Sequence, residues 1–325
     1  MKNCFDLLED KFIIPEKTRA KCSFGDIPNK VSLDESNIVI YGVPLDITTS
    51  FGKGTDRGPE AIRLTSANLI ETFIFEEKID VFHNAKIYDL GDIKFPNSHK
   101  RKKNKSPDSD FIFSALDISI TQATSALYRN LKLPIVLGGE HTISYYSIKT
   151  LAQENPIIIH FDAHRDMKPR YQGKAMSHTT PFYHLLNNTY IPGNNLIQIG
   201  IRQSDLCENK IAEENKVITF DAWNIHRRID DVLEYLTKRT KDQKIYITFD
   251  IDVYDLAYVP CTGTPEPFGL NPFEIVQIIK SISKSAKLIG LDIVEVGLKN
   301  NDYREAALAT HTLLRILCRD YAIPR

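Results

Sequence analysis

An α/β fold with helices on both faces of a mostly parallel sheet is what this sequence predicts, and three features predict it. Short apolar runs rich in β-branched residues recur along the chain, and most are continuously apolar rather than alternating, as strands buried on both faces are. Stretches of helical length and pattern lie between them. No internal repeat and no Pro/Gly/Ser-rich linker divides the chain, so one domain over residues 1–325 is expected.

Taken in order, the run containing Ile38-Val39-Ile40-Tyr41 predicts a strand over 37–43. A helix over 113–131 then leads to a strand at 135–137, Ile135-Val136-Leu137. A helix over 142–154 leads to 157–161, where Ile157-Ile158-Ile159 opens a third strand. Strands at 196–201 and 217–220 follow, then a helix over 228–238 and a strand at 245–249. The pattern closes with a helix over 272–283, a strand over 287–293 and a helix over 303–318.

Composition narrows the function. Lys plus Arg number 41 and Asp plus Glu 42, a formal net charge of -1, so no global field draws the protein to nucleic acid or a membrane. The basic block His99-Lys100-Arg101-Lys102-Lys103-Asn104-Lys105 has no interleaved aromatics and is expected to be an exposed loop spanning about 97–110. The five cysteines (Cys4, Cys22, Cys207, Cys261, Cys318) form no CxxC pair and no disulfide framework, which suits a reducing cytoplasm. The opening residues carry acids within the first dozen positions and no long apolar core, so no secretory signal is expected there. No apolar run approaches the ~20 residues that span a bilayer.

The informative residues sit where strands end. Ligands of an open parallel sheet bind beyond the carboxyl ends of its strands. Here 135–137 is followed by Gly138-Gly139-Glu140-His141, 157–161 by Asp162-Ala163-His164-Arg165-Asp166, 245–249 by Asp250-Ile251-Asp252, and 288–291 by Asp292-Ile293-Val294-Glu295. In extended backbone the i, i+2, i+4 spacing of Asp162, His164 and Asp166 places all three on one side, and Asp250 and Asp252 repeat the pattern. A lone Asp at a strand end is ordinarily a helix cap or turn former. Five such groups aimed at one crevice would instead repel one another and be costly to bury unless cations neutralised them. With His141 the set is four Asp and two His, too many donors for one tetrahedral zinc, free of thiolate, and suited to two Mn²⁺ ions. Such a pair activates water, which points to hydrolysis.

Gly138-Gly139-Glu140-His141-Thr142, Asp162-Ala163-His164-Arg165-Asp166, Thr248-Phe249-Asp250-Ile251-Asp252 and Thr262-Gly263-Thr264-Pro265-Glu266-Pro267 resemble the signatures of the arginase and agmatinase (ureohydrolase) family, and of its agmatinases most. The resemblance runs through most of the chain, taking in Gly42-Val43-Pro44-Leu45-Asp46, Gly58-Pro59-Glu60-Ala61-Ile62-Arg63 and Tyr88-Asp89-Leu90-Gly91-Asp92. It implies a three-layer α/β/α, arginase-like fold with a binuclear manganese centre, assembled as trimers or hexamers. It implies that His141 and Asp166 hold one ion, His164 and Asp252 the other, and that Asp162 and Asp250 bridge them. By the same resemblance Glu295 receives the substrate guanidinium with Asp292 and Thr264 nearby, Asp252 or a bridging Asp passes a proton to the leaving amine, and His178 exchanges protons with solvent. Leu256, Cys261, Phe268 and Thr179 depart from the family pattern without removing a ligand. Cys261 and Phe268 either narrow the entrance or mark local repacking.

Substrate identity is less sharply drawn. Residues 167–177 carry three basic residues, Lys168, Arg170 and Lys174, and no acid, which favours a carboxylate tail such as that of guanidinobutyrate over the amine of agmatine. The Ser177-His178-Thr179-Thr180-Pro181-Phe182 segment, Thr-Gly-Thr-Pro-Glu-Pro and the chain length look more like agmatinases, so agmatine is the leading expectation. Guanidinobutyrate, arginine and formiminoglutamate are the alternatives within the class. A catalytically silent metal-binding subunit, whose signature is a missing ligand, and a single-zinc deacetylase on a related fold are alternatives outside it.

Overall fold

The computed structural model describes residue 8 and residues 11–26, 31–71, 73–95 and 109–321. Of the loop expected over 97–110, residues 97–108 lie outside the described residues, and Ser109 and Asp110 open a helix, Ser109–Arg129.

Eleven strands are described: β1 Phe12–Ile13, β2 Ile38–Val43, β3 Phe73–Ile74, β4 Ile79–Asp80, β5 Ile87–Ile93, β6 Leu133–Gly138, β7 Ile157–Phe161, β8 Leu196–Ile201, β9 Ile218–Asp221, β10 Lys244–Asp250 and β11 Lys287–Val294. Nine form one sheet in the order β1-β5-β2-β6-β11-β10-β7-β8-β9, while β3 and β4 make a small hairpin apart from it. Every pairing in the large sheet is parallel except that of β1 with β5.

Alternation along the strands builds three layers. Ile157, Ile159 and Phe161 of β7 join Ile245, Ile247 and Phe249 of β10 in one apolar cluster, which also takes in Leu236, Ile278 and Leu313. Those three come from the helices Ile229–Arg239, Pro272–Ser281 and Arg304–Tyr321. Ile158 and Tyr246 point to the opposite side, against Ile148 and Leu151 of the helix Thr142–Leu151 and Phe182 of Pro181–Asn187. On that side too, Val39, Tyr41 and Val43 of β2 pack with Leu116, Ile120 and Leu127 of Ser109–Arg129. The expected α/β fold with helices on both faces is the one observed, and each face hides an unbroken apolar surface. No helix among the described residues is long and apolar enough to cross a membrane.

Sheet order positions the site. The four strands that end in the motifs, β6, β11, β10 and β7, are consecutive neighbours at its centre. Phe249 pairs with Phe161 and Asp250 with Val294, while Ile293 pairs with Leu137, so their carboxyl ends open into one crevice.

Candidate metal centre

His141 stands at the start of the helix Thr142–Leu151, its backbone delivered by Gly138 and Gly139. A Cβ on Gly139 would lie 2.0 Å from the Leu45 carbonyl oxygen, so only glycine lets the two segments approach this closely. The His141 ring is fully buried, and its Nδ1 lies 3.1 Å from Asp162 Oδ2, 2.9 Å from Asp166 Oδ2 and 3.2 Å from Asp250 Oδ2. None of the three is aligned with Nδ1 for a hydrogen bond.

The far side of the ring explains why. Thr248 Oγ1 donates to Asp292 Oδ1 at 2.7 Å, so it accepts from His141 Nε2 at 3.0 Å. With its hydrogen on Nε2, a neutral ring would turn a lone pair toward three carboxylates, an arrangement that is repulsive unless a proton or a metal cation sits at their common point.

A second group adjoins the first. His164 Nδ1 is 3.1 Å from Asp252 Oδ2 and 3.5 Å from Asp162 Oδ1, so Asp162 turns one oxygen to each group. The ligating atoms of Asp162, His164 and Asp252 all lie within 4.8 Å of one another. Backbone amides aim the carboxylates: His164 N–H donates to Asp162 Oδ1 at 2.6 Å, Ala163 N–H to Asp252 Oδ1 at 3.0 Å and Asp252 N–H to Asp250 Oδ1 at 2.9 Å. Convergence comes from turns rather than the expected extended backbone. Asp250 ends β10 and a 3-10 turn, Ile251–Val253, carries Asp252, while Asp166 adopts a left-handed φ of 52°.

Among the ion pairs described, none joins a lysine or arginine to any of these six residues. Burial, then the neighbouring Asp252 and Asp162, push the Asp250 carboxyl well above its ordinary range. Burial and Asp162 raise Asp166 to about 7. Burial would lower the His141 pKa, but Asp162, Asp166 and Asp250 outweigh it and hold it well above the ordinary value. In the absence of other cations the cage therefore neutralises itself with protons, and divalent ions compete for the same places. Four carboxylates and two imidazoles without thiolate fit hard or borderline divalent ions.

Glu295 is the first residue after β11 and holds a left-handed φ of 59°, a conformation costly for a non-glycine residue and typical of functional sites. Its Oε1 accepts from His141 N–H at 2.8 Å, and Oε2 faces Gly263, where a Cβ would approach it to 3.2 Å. Burial pushes its carboxyl well above the usual range, with Glu140 and Asp166 adding to the effect, so it retains a proton that a cationic group entering the cavity would displace. Thr264 lines the same cavity and its hydroxyl donates to Asp252 Oδ2 at 3.3 Å.

Asp292 is not beside the substrate space. It lies inside β11, paired with Val136 and Thr248, is fully buried, and accepts from Thr248 Oγ1 and from Tyr246 OH at 2.7 Å each. An apolar run that continues through Ile293 and Val294 leaves Glu295, not Asp292, as the strand-end acid. Asp292 acts on the centre through Thr248, which fixes the His141 tautomer.

His178 is buried beside the cavity, with Nδ1 3.3 Å from Thr48 Oγ1. Burial, then the nearby His164 and His141, push its pKa down to about 4, so at neutral pH the ring is uncharged: Nδ1–H faces Thr48 Oγ1, whose own hydrogen goes to Glu140, and Nε2 is left as the acceptor. Thr48 in turn donates to Glu140 Oε1 at 2.6 Å, and Glu140 also accepts from the Ile47 and Thr48 amides at 2.6 and 2.7 Å. Sequence reasoning misses Thr48, and the roles of Thr248 and Glu140, although both stand inside the motifs, are not legible from spacing, because each acts through a contact distant in sequence. His160 had a usable signal, since its i–2 spacing from Asp162 puts both on one side of β7.

The cavity holds about 320 Å³ and is lined by His164, Asp166, His178, Asp250, Thr264 and Glu295 at its inner end and by Lys168, Tyr171, Asp205 and Glu208 farther out. Of the three basic residues in 167–177 only Lys168 faces it, and its Nζ pairs with Asp205 Oδ2 at 3.1 Å. Leu256, Cys261 and Phe268 do not line it; Phe268 packs instead against Trp223, with ring centroids 5.1 Å apart.

A family model for the arginase family matches residues 36–318. The chain is 33% identical over 276 residues to an agmatinase of Bacillus anthracis, covering 83% of this chain and 87% of that protein. It is 30% identical over 286 residues to an N(1)-aminopropylagmatine ureohydrolase of Thermus thermophilus, covering 85% and 88%. A crystal structure of a hypothetical agmatinase from Burkholderia thailandensis matches with a TM-score of 0.78 at 28% identity, covering 91% of this chain and 90% of that one. Fold and site together define a hydrolase of amidine or guanidino C–N bonds. The chain belongs to the arginase family, and within it is like the agmatinases.

Proposed function

We propose that this chain is a binuclear manganese amidinohydrolase that converts agmatine and water to putrescine and urea. One observation carries the reading: four Asp and two His converge beneath a cavity with no lysine or arginine ion-paired to them among the described residues, and Glu295 lines the same cavity. In this assignment His141 and Asp166 would hold one ion and His164 and Asp252 the other, with Asp162 and Asp250 contributing to both. The pair of ions would supply Lewis acidity and a water made nucleophilic at neutral pH.

The chain's own groups do the rest. Glu295 takes the planar guanidinium through charge-assisted hydrogen bonds and fixes its central carbon over the cage. Asp252 Oδ2, between the Thr264 hydroxyl and the His164 ring, takes the proton that the departing amine needs. His178, neutral at pH 7 and at the cavity wall, accepts protons and returns them to solvent. Asp205 and Glu208 are two acids lining the cavity against the single Lys168 that pairs with Asp205, and this acidic excess supports the alkylammonium tail of agmatine. Lys168 at the same end favours the second reading, a guanidino acid such as guanidinobutyrate. The reading includes a single catalytic domain, a homotrimer or homohexamer and a cytoplasmic setting; sedimentation analysis tests the assembly.

The deciding experiment offers manganese-loaded protein agmatine, guanidinobutyrate, guanidinopropionate, arginine and formiminoglutamate, with urea and formamide measured separately. Urea from agmatine in preference to the others is the expected result. A preference for the acids shifts the assignment to Lys168, and silence on all five, with two ions bound, returns the chain to a non-catalytic role.

A further inference from the structure

His160 is not among the six cage residues, yet it is fully buried beside them. Its Nε2 lies 2.7 Å from Asp162 Oδ2, and its Nδ1 lies 3.1 Å from Gln198 Nε2. Gln198, also fully buried, turns Oε1 to Arg165 Nη1 at 2.7 Å and donates from Nε2 to the Arg165 carbonyl at 2.9 Å. Arg165 is held in turn by Asn209 Oδ1 at 2.7 Å and Thr219 Oγ1 at 3.0 Å.

The polarity of this chain has one solution. A guanidinium only donates, so the Gln198 oxygen must face Arg165 and the amide nitrogen must face His160. A hydrogen bond arriving at Nδ1 requires a lone pair there, so the ring carries its hydrogen on Nε2 and delivers it to Asp162 Oδ2. The other oxygen, Oδ1, already accepts from His164 N–H. Each oxygen of Asp162 then has one fixed protein donor and one lone pair left, and the two lone pairs face the two neighbouring groups of ligands.

We propose that Arg165, Gln198 and His160 are positioning residues that lock Asp162 as the carboxylate shared between two cations. The inference rests on the metal-centre assignment above. Arg165 lies between His164 and Asp166, so the loop that supplies ligands also sets the polarity that aims Asp162. A neutral imidazole suits the task, because it donates without placing positive charge where cations bind.

Two measurements test it. In metal-free protein labelled with ¹⁵N-histidine, long-range ¹H–¹⁵N correlation reports the His160 tautomer, assigned by the signal that His160→Gln removes. The Nε2–H form is expected, and an Nδ1–H form in the unmutated protein overturns the relay whatever the variants bind. Calorimetric Mn²⁺ titration then compares His160→Gln, whose amide reaches the Nε2 position, with His160→Asn, whose amide reaches only Nδ1. The Gln variant should bind both ions within about threefold of the parent, and the Asn variant should lose ~10–100-fold in affinity for at least one, at matched thermal midpoints. Two ions bound by His160→Asn at parental affinity sink the relay alone. Failure of the unmutated protein to bind two ions sinks the metal-centre assignment with it.

Discussion

Two clusters of buried acids in this chain are handled in opposite ways. On the sheet flank, Arg63 of the helix Gly58–Asn68 is fully buried and reaches Asp89 through Nε at 2.8 Å and Asp92 through Nη1 at 2.6 Å. Burial would lower the Arg63 pKa, and Asp89 and Asp92 more than offset it, so the group stays charged. Phe24 N–H and Gly91 N–H complete the bonds to Asp89. At the sheet centre, six groups converge with no guanidinium or ammonium ion-paired to their side chains among the described residues, and the pKa values of His141, His164, Asp166 and Asp250 are displaced upward and that of Asp162 downward. The first cluster is closed by its own chain and serves the fold. The second is left open to cations, and that difference separates structural acids from a functional centre.

The comparison breaks most visibly at Asp250. Asp250→Asn should reduce urea release below detection and lower bound manganese while leaving the melting profile of the metal-free protein intact; a fully metallated, active variant would end the shared-ligand assignment. Arg63→Met should instead strand two buried carboxylates and destabilise the protein by ~3–5 kcal/mol in denaturant titration. Added Mn²⁺ should not recover that loss, because Asp89 and Asp92 are arranged for a fork of N–H donors.

Chelation acts in the reverse sense. Removing metal from the parent protein should lower its stability, and restoring Mn²⁺ to about a hundred times its Kd should return about 2.7 kcal/mol for each ion bound. Arg63→Met should respond by the same increment, and a smaller one would mean that the two clusters are coupled.

The smallest effect concerns a third buried acid. Burial raises Glu305 to about 8, although the amides of Gly297, Cys261 and Thr262 work to lower it. Because the folded value lies above the unfolded one, its contribution is complete below about pH 4.5 and is lost as pH rises through 8. Glu305→Gln, which cannot titrate, should therefore gain on the parent by about 2–3 kcal/mol between pH 6 and pH 9 in chemical unfolding. A difference independent of pH would show that the backbone amides keep Glu305 ionised throughout.

The residue pattern revealed seven of the nine strands of the large sheet, because parallel strands buried on both faces must be apolar throughout. It missed β5, where Asp89 and Asp92 interrupt the apolar run and are buried only because Arg63 meets them. It also passed over the helices Pro181–Asn187, Leu206–Glu214 and Ala222–Arg227, which are too short to display a helical period.

By itself the sequence determined which chemistry is available. Acids and histidines follow directly on apolar strands, and covalent order alone puts them at strand ends where an open sheet binds ligands. Only the tertiary structure decided which atoms meet. Sheet order made β6, β11, β10 and β7 neighbours, withdrew Asp292 behind Thr248, and joined Arg165 to Asp162 through Gln198 and His160. Those outcomes depend on hydrogen-bond polarity between residues far apart in the chain, for which linear spacing carries no signal.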